Sequence, residues 1–598
     1  MARRSRFGVG WASALVTTVV GAALAVSGCA PAGGGGGAGN DNTGNVNDNV
    51  TDNTNDNGAA NDNENANDNT GGDVAGRPLS IFNTDSFTGS GNCAMCHSGL
   101  EDAVGADVSI DTAWRATMLA NAARDPFFLA SVSAEVAEAP AALGPVIEET
   151  CATCHMPMAR TQAAADGTPI GVLNGGFLDP AHALHDAAMD GVSCAVCHQI
   201  QDDFLDDPQA SYNGGYRIDT STQSPDRLVY GPYPQPQQPD VMQTAVGYLP
   251  VHGPHLGQSG LCGTCHTLFT PTLNAAGEIV GKFPEQTPFL EWRQSRFADG
   301  GEDDRTCQSC HMPAAEGAVV ISAVPLDLAG RAPFSQHLFL GGNVFMLRLL
   351  RDNIVALGLT ASTADFNAAI ALTESFLRNN TAVLTIDEAG VAGVTLALEL
   401  TVTNLCGHKF PTSFPSHRAW IHLTVADGAG EIVFESGAPG ADGSIAGADA
   451  DEDPAAVEPH FDRITSVGQV QIYESLMADT DGAVTYTLLR GSTYAKDNRL
   501  LPEGFAKGSA GADIAVYGAA ANDADFVGGS DRISYDVDVS GHEGPFAVTA
   551  ELLYQTVSFR FAEALVQVDT PLAEQFGELY QDADKSPALI SSVARIVP

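Results

Sequence analysis

The chain has 598 residues, 44% of them hydrophobic, with 28 Lys and Arg against 73 Asp and Glu and a formal net charge of −45. This length allows roughly two to four domains and a sizeable core. The charge argues against nucleic acid and anionic lipid surfaces as partners; it suits solubility, and it would equally well steer in a basic partner.

The first predicted element is an export signal. Arg3, Arg4 and Arg6 form a positive start, residues 11–26 are apolar, and the stretch ends Val26-Ser27-Gly28-Cys29. Residues 1–28 therefore read as a bacterial lipoprotein signal peptide, with Cys29 as the lipidation site. An ordinary cleaved signal and an uncleaved anchor are the alternatives. A lipid anchors without spanning, and no later apolar run reaches membrane-spanning length. The expectation is an exported chain, held to a bacterial membrane through its N-terminal lipid only, facing the periplasm or the cell surface. Residues 29–78 follow as a low-complexity tether, with glycines and then Asn-Asp-Asn at 40–42, 47–49 and 61–63. Almost nothing there is apolar, so disorder is expected. The Asp spacing lacks the Gly and Glu of an EF-hand calcium loop.

Residues 79–340 carry the string C-x-x-C-H five times, at 93–97, 151–155, 194–198, 262–266 and 307–311. At this Cys and His content roughly 0.006 copies are expected by chance. The spacing reads as attachment of haem c. A zinc site needs closed sets of four ligands, and a redox dithiol needs no His. The expectation is five covalently bound haem c groups. Cys93, Cys96, Cys151, Cys154, Cys194, Cys197, Cys262, Cys265, Cys307 and Cys310 would form the thioethers. His97, His155, His198, His266 and His311 would be the proximal iron ligands. Of the 12 cysteines, these ten and Cys29 leave Cys406, so there is no disulfide framework. Cys406 reads as a buried small hydrophobe, with thiolate ligation as the alternative.

Between the motifs, residues 111–139 have helix-forming composition with a break near Pro126; much of the rest is Gly- and Pro-rich loop. Residues 341–382 read as a helical connection, helical at 344–357 and 364–378, with Ser362 or Thr363 as N-cap. From 383 to 598 the period falls to two: 394–403 (VTLALELTVT), 419–425 (AWIHLTV) and 546–559. The expected fold class is α+β and multidomain: a haem-packed, loop-rich α domain followed by a mostly antiparallel, β-sandwich-like domain.

The second axial position on each iron separates a closed, electron-transferring haem from one open to substrate. Outside the motifs lie His182, His185, His252, His255, His337, His408, His417, His422, His460 and His542. His255, His337, His408 and His460 are the leading candidates for distal ligands. Met118 is a further one, set against core packing, and one of His182 and His185 is another. His422 alternates with apolar neighbours and belongs on the polar face of a strand; His417 and His542 read as surface residues. Met156 and Met312, next to a motif His, read as packed against porphyrin.

The strings CATCHMPMAR, LCGTCHTLFTP, FPEQTPFLEWRQSRFA and CQSCHMP resemble a family of bacterial multihaem c-type cytochromes. So do HLFLGGNVFMLRLL, GHKFPTSFPSHRAWIHLTV, VQIYESLM and KDNRLLPEGF, within residues 90–560. The resemblance implies a haem domain of the cytochrome c554 and hydroxylamine-oxidoreductase-like type, followed by a β-rich domain. It adds weight to His255, His337, His408 and His460. Related proteins carry a ligand His in W-x-x-S-x-H-A, where this chain has Leu119 and Phe297; either Met118 substitutes or one haem is five-coordinate. The expected function is a lipid-anchored cytochrome carrying electrons between redox protein partners. The alternative is an oxidoreductase acting on a small nitrogen or sulfur oxyanion at one open haem. No residue set stands out as catalytic, and nothing in the sequence reads out an oligomeric state.

Overall fold

The alternating stretch 394–403 pairs on both sides, as a half-buried strand should. In the computed structural model, which describes residues 73–598 except 206, 208 and 209, it lies in a four-stranded sheet. The signal, Cys29 and nearly all of the tether fall outside the described residues.

Four strands precede this sheet, where loop was expected. β1 (Arg227–Gly231) pairs in parallel with β2 (Tyr248–His252), and β3 (Leu268–Leu273) forms an antiparallel hairpin with β4 (Ile279–Gln286). Short, half-exposed strands of this kind leave little periodicity to read. The four-stranded sheet runs β5 (Ala382–Ala392), β6 (Thr395–Asn404), β12 (Ser530–Asp538), β9 (Arg463–Ile464). The six-stranded sheet runs β11 (Thr493–Asp497), β10 (Ile472–Ala478), β7 (Arg418–Ala426), β13 (Phe546–Gln555), β14 (Ala588–Val597), with β8 (Ile432–Ser436) also on β7. Within these two sheets all pairs are antiparallel except β9 with β12. Leu398, Leu400, Ile533 and Tyr535 from one sheet share a core with Ile421, Leu423, Val548 and Leu552 from the other, which makes a sandwich.

The helical expectations shift in detail. Residues 111–139 form two helices, Ile110–Arg115 and Pro126–Glu138, separated by turns. Thr117 Oγ1 bonds Trp114 O, and Asn121 Nδ2 bonds Arg115 O and Thr117 O; side chains take the carbonyls that a continuing helix needs. Pro126 starts the second helix with Asp125 as its N-cap. Val344–Asp352 stops short of 357, with Asn353 Nδ2 on Leu349 O. Thr363–Asn380 is capped by Ser362 in a reciprocal box with Asp365.

The described residues form one unit. Two helices after β13, Phe559–Val566 and Pro571–Asp582, bring Phe561 and Phe576 against Phe127 of the Pro126–Glu138 helix, with ring centres 5.7 and 5.4 Å away. The motif-bearing and β-rich segments thus share a core. No helix among the described residues is long and apolar enough to cross a membrane.

Candidate cofactor site

Each motif starts on or within a short helix. Ser90–His97 contains the first, Gly144–His155 ends with the second, Cys194–Cys197 carries the third with His198 as C-cap, Ser259–Gly263 leads into the fourth, and Cys307–His311 is the fifth. Residues three and four apart share a helix face, so both thiols and the imidazole of one motif emerge together. Gly263 is required inside the fourth: a Cβ there would lie 2.8 Å from the Phe289 ring.

The faces converge. One cavity of about 2120 Å³ is lined by His97, His155, His198, His266, His311 and every motif cysteine except Cys96. Small-molecule sites usually occupy about 300–1,000 Å³, so this space suits several large planar groups. The motifs also meet one another. The thiols of Cys93 and Cys194, of Cys154 and Cys265, and of Cys262 and Cys307 hydrogen-bond in pairs, and Cys197 is within electrostatic reach of Cys265.

The motif imidazoles are held as neutral rings. Burial pushes His155 and His311 down to about 4 and lowers His97, His198 and His266. Nδ1 of His97, His198 and His311 bonds the carbonyls of Ile321, Tyr230 and Leu340, which leaves Nε2 with a free lone pair. Metal-ligating histidines use this same arrangement to fix tautomer and ring orientation.

Two of these rings have a second imidazole nearby. The centres of His198 and His337 are 6.3 Å apart with planes 21° from parallel, and those of His311 and His408 are 6.1 Å apart at 12°. Metal–imidazole bonds of about 2.0–2.1 Å on opposite sides of one metal put ring centres about 6 Å apart. His408 Nδ1 bonds Lys409 O, while His337 Nδ1 is buried without a partner; burial holds His337 at about 3.

Other candidates are placed differently. His255 is buried, but its Nε2 bonds Ile200 O and it is not at the cavity wall. His460 is also away from the cavity: Nε2 bonds Asp523, and Nδ1 takes the amides of Gln471 and Asn498. As placed, neither presents a free Nε2 to the cavity. His182 and His185 are likewise off the wall, with His185 Nδ1 on Phe177 O. Met118 lines the cavity from a turn, packed on two cores. Met312 is at the wall and Met156 is fully buried behind it. The Cys406 thiol is pushed up to about 12 by burial and bonds Thr381 O, which disfavours thiolate. Leu119 and Phe297, where the resemblance implies histidine, are apolar wall residues, and Phe297 lies over Gly407 beside His408.

His417 corrects an expectation. It is not a surface residue: it lines the cavity, donates Nδ1–H to Thr412 O at 2.8 Å, and is held at about 4 by burial. Its loop and that of His408 are tied down by buried ions. Lys409 Nζ pairs with Asp497 at 2.7 Å, Arg499 with Asp497 at 2.7 Å and Glu291 at 3.1 Å, and Glu291 accepts from Lys409 N at 3.1 Å. His422 is, as expected, on the polar face of β7, between Glu435 and Glu551. Two buried carboxyls, unremarked in the sequence, stand at the wall near Cys151: burial pushes Glu135 to about 8 and Glu285 to about 7. The cavity, the convergent thiols and the neutral imidazoles, three of them carbonyl-bonded, fit haem c.

No family model and no curated protein matches the chain. Among solved structures, the chain is similar to a penta-heme cytochrome c552 from Thermochromatium tepidum, at 17% identity and a TM-score of 0.41, over 75% of this chain and 83% of that one.

Proposed function

We propose that the chain is an exported, lipid-anchored cytochrome that binds five haem c groups covalently and carries single electrons between redox proteins. The observation that carries this reading is the convergence of all five C-x-x-C-H motifs on one cavity, where His198 and His311 each have a second imidazole at metal-bridging distance. Haem iron, when bound, supplies a one-electron couple whose potential depends on axial ligands, hydrogen bonds and burial. The chain's own part is positional. The ten motif cysteines would anchor the haems, and the five motif histidines would ligate iron. His337 and His408 would be the second ligands, and His417 is the next candidate. Thiol contacts link motif one to three, and four to both two and five, and Cys197 of motif three is within electrostatic reach of Cys265 of motif four, so no motif stands apart. The carbonyl bonds and the buried Lys409–Asp497–Arg499–Glu291 network hold the rings still, which keeps reorganisation small at each transfer. The net charge of −45 suits a basic partner, and electron exchange with one is expected to slow as ionic strength rises.

Glu135 and Glu285 favour a second reading. Carboxyls protonated near neutrality beside the second motif can deliver protons, as reduction of a nitrogen or sulfur oxyanion requires. Electron paramagnetic resonance and carbon monoxide binding decide between the two. Low-spin iron throughout, with no carbon monoxide adduct, is expected for the carrier; a high-spin fraction that binds carbon monoxide would replace it by the second reading.

A further inference from the structure

Off the cavity wall, the start of β9 and the turn leading into β12 bring four aspartates together. Oxygens of Asp462, Asp523 and Asp525 lie within 4.8 Å of one another, and Asp523 and Asp531 form a second such group with His460. Asp531 is 1% exposed. Its Oδ2 accepts from Tyr473 Oη at 2.7 Å and Gln471 Nε2 at 3.1 Å, while Oδ1 is buried, has no hydrogen-bond partner, and lies 3.8 Å from His460 Nε2. Asp525 Oδ1 is a second buried oxygen without a donor.

His460 acts here as a donor. Gln471 is oriented by its Oε1 accepting from Phe461 N, and Asn498 by its Oδ1 accepting from Glu474 N. Both amides therefore aim N–H at His460 Nδ1, and the ring proton sits on Nε2, pointing at Asp523 Oδ2 2.9 Å away. Asp523 Oδ1 accepts from the backbone N–H of Asp525 and of Phe526. Donors of this kind hold carboxylates in their charged form.

Arg532, next to Asp531 in sequence, acts on Asp525 through its charge, and the other positive side chains nearby are engaged elsewhere. Lys507 Nζ sits on the Ala520 and Asp523 carbonyls, Lys496 pairs with Glu474, and Arg463 with Asp536. Among the described residues no Lys or Arg nitrogen comes within ion-pair distance of the four carboxylates. Asp523 is held in its charged form, while burial raises Asp531 to about 8 and Asp525 to about 6, so a cation here would bind with release of protons. An all-oxygen set of irregular geometry selects calcium over magnesium, which demands near-octahedral ligands.

We propose that Asp462, Asp523 and Asp525, with Asp531 adjoining, bind one calcium ion, and that His460 is a positioning residue that orients Asp523. The ion would tie the β9 segment to the turn before β12. The test is equilibrium dialysis of the chelator-stripped full chain against calcium chloride, paired with thermal unfolding, for wild type, Asp525→Asn and Asp462→Asn. Asp462 is exposed, so its variant is expected to fold. Loss of outer-shell partners alone lowers metal affinity about 10–100-fold, so losing a direct ligand is expected to cost at least about tenfold. Calcium is expected to raise the melting temperature of wild type and not that of Asp525→Asn. Equal binding and equal stabilisation of wild type and both variants would overturn the site. Equal stabilisation of wild type by magnesium chloride would overturn the assignment to calcium.

Discussion

His337 and His408 carry the proposed ligation scheme at the scale of single residues, because each lies about 6 Å from a motif imidazole. Replacing either by alanine is expected to convert one haem per chain from low spin to high spin, read by electron paramagnetic resonance; an unchanged spectrum would remove that residue as a ligand. His417→Ala checks the third candidate in the same way. Glu135 gives a pH prediction. Its folded pKa of about 8 lies above the ordinary value of 4.5. Its protonated form therefore supports the fold fully at low pH, and that support is lost as pH rises through about 8. Glu135→Gln is expected to flatten the fall in melting temperature between about pH 5 and about pH 8, and an unchanged slope would contradict this. His337 and His408 could be picked out of the sequence because they stand in strings near motifs or strand ends. His417 could not: its burial depends on the loop before β7 folding back, with Ser416 Oγ bonded to Thr556 O, 140 residues away. The placement of His255 and His460 off the cavity wall was not legible for a related reason, since their hydrogen-bond partners are 55 and 63 residues distant.

Local signals in the elements were clear where they repeat. The alternation at 394–403 is β6, and Ser362 caps Thr363–Asn380 through Asp365. Ser362→Ala is expected to cost about 1 kcal/mol of stability by denaturant unfolding. The helices Phe559–Val566 and Pro571–Asp582 were not anticipated. Their apolar faces matter only once they find Phe127, whose ring meets Phe414, Phe561 and Phe576. Phe127→Ala is expected to cost about 3–5 kcal/mol; a cost below 1.5 kcal/mol would mean this junction contributes little. The four short strands between residues 227 and 286 escaped for a related reason: half-exposed pairs such as β3 and β4 are held by partners rather than by pattern.

Over the whole molecule, the five motifs, more than two hundred residues of chain, are folded around one cavity, and the β sandwich reaches into it with His408 and His417. The five motif strings were legible in the sequence, but not this joint construction, because a core shared by residues 127, 414, 561 and 576 has no local signature. The central claim is that covalently held haems fill the space where aliphatic side chains would otherwise pack. Haem stoichiometry measures this most directly, by pyridine haemochrome absorbance per mole of purified full chain, with the masses of the five motif peptides. Five haems per chain and five modified peptides are expected. A folded, colourless protein, with cysteines such as Cys93 and Cys194 joined as disulfides across motifs, would contradict it.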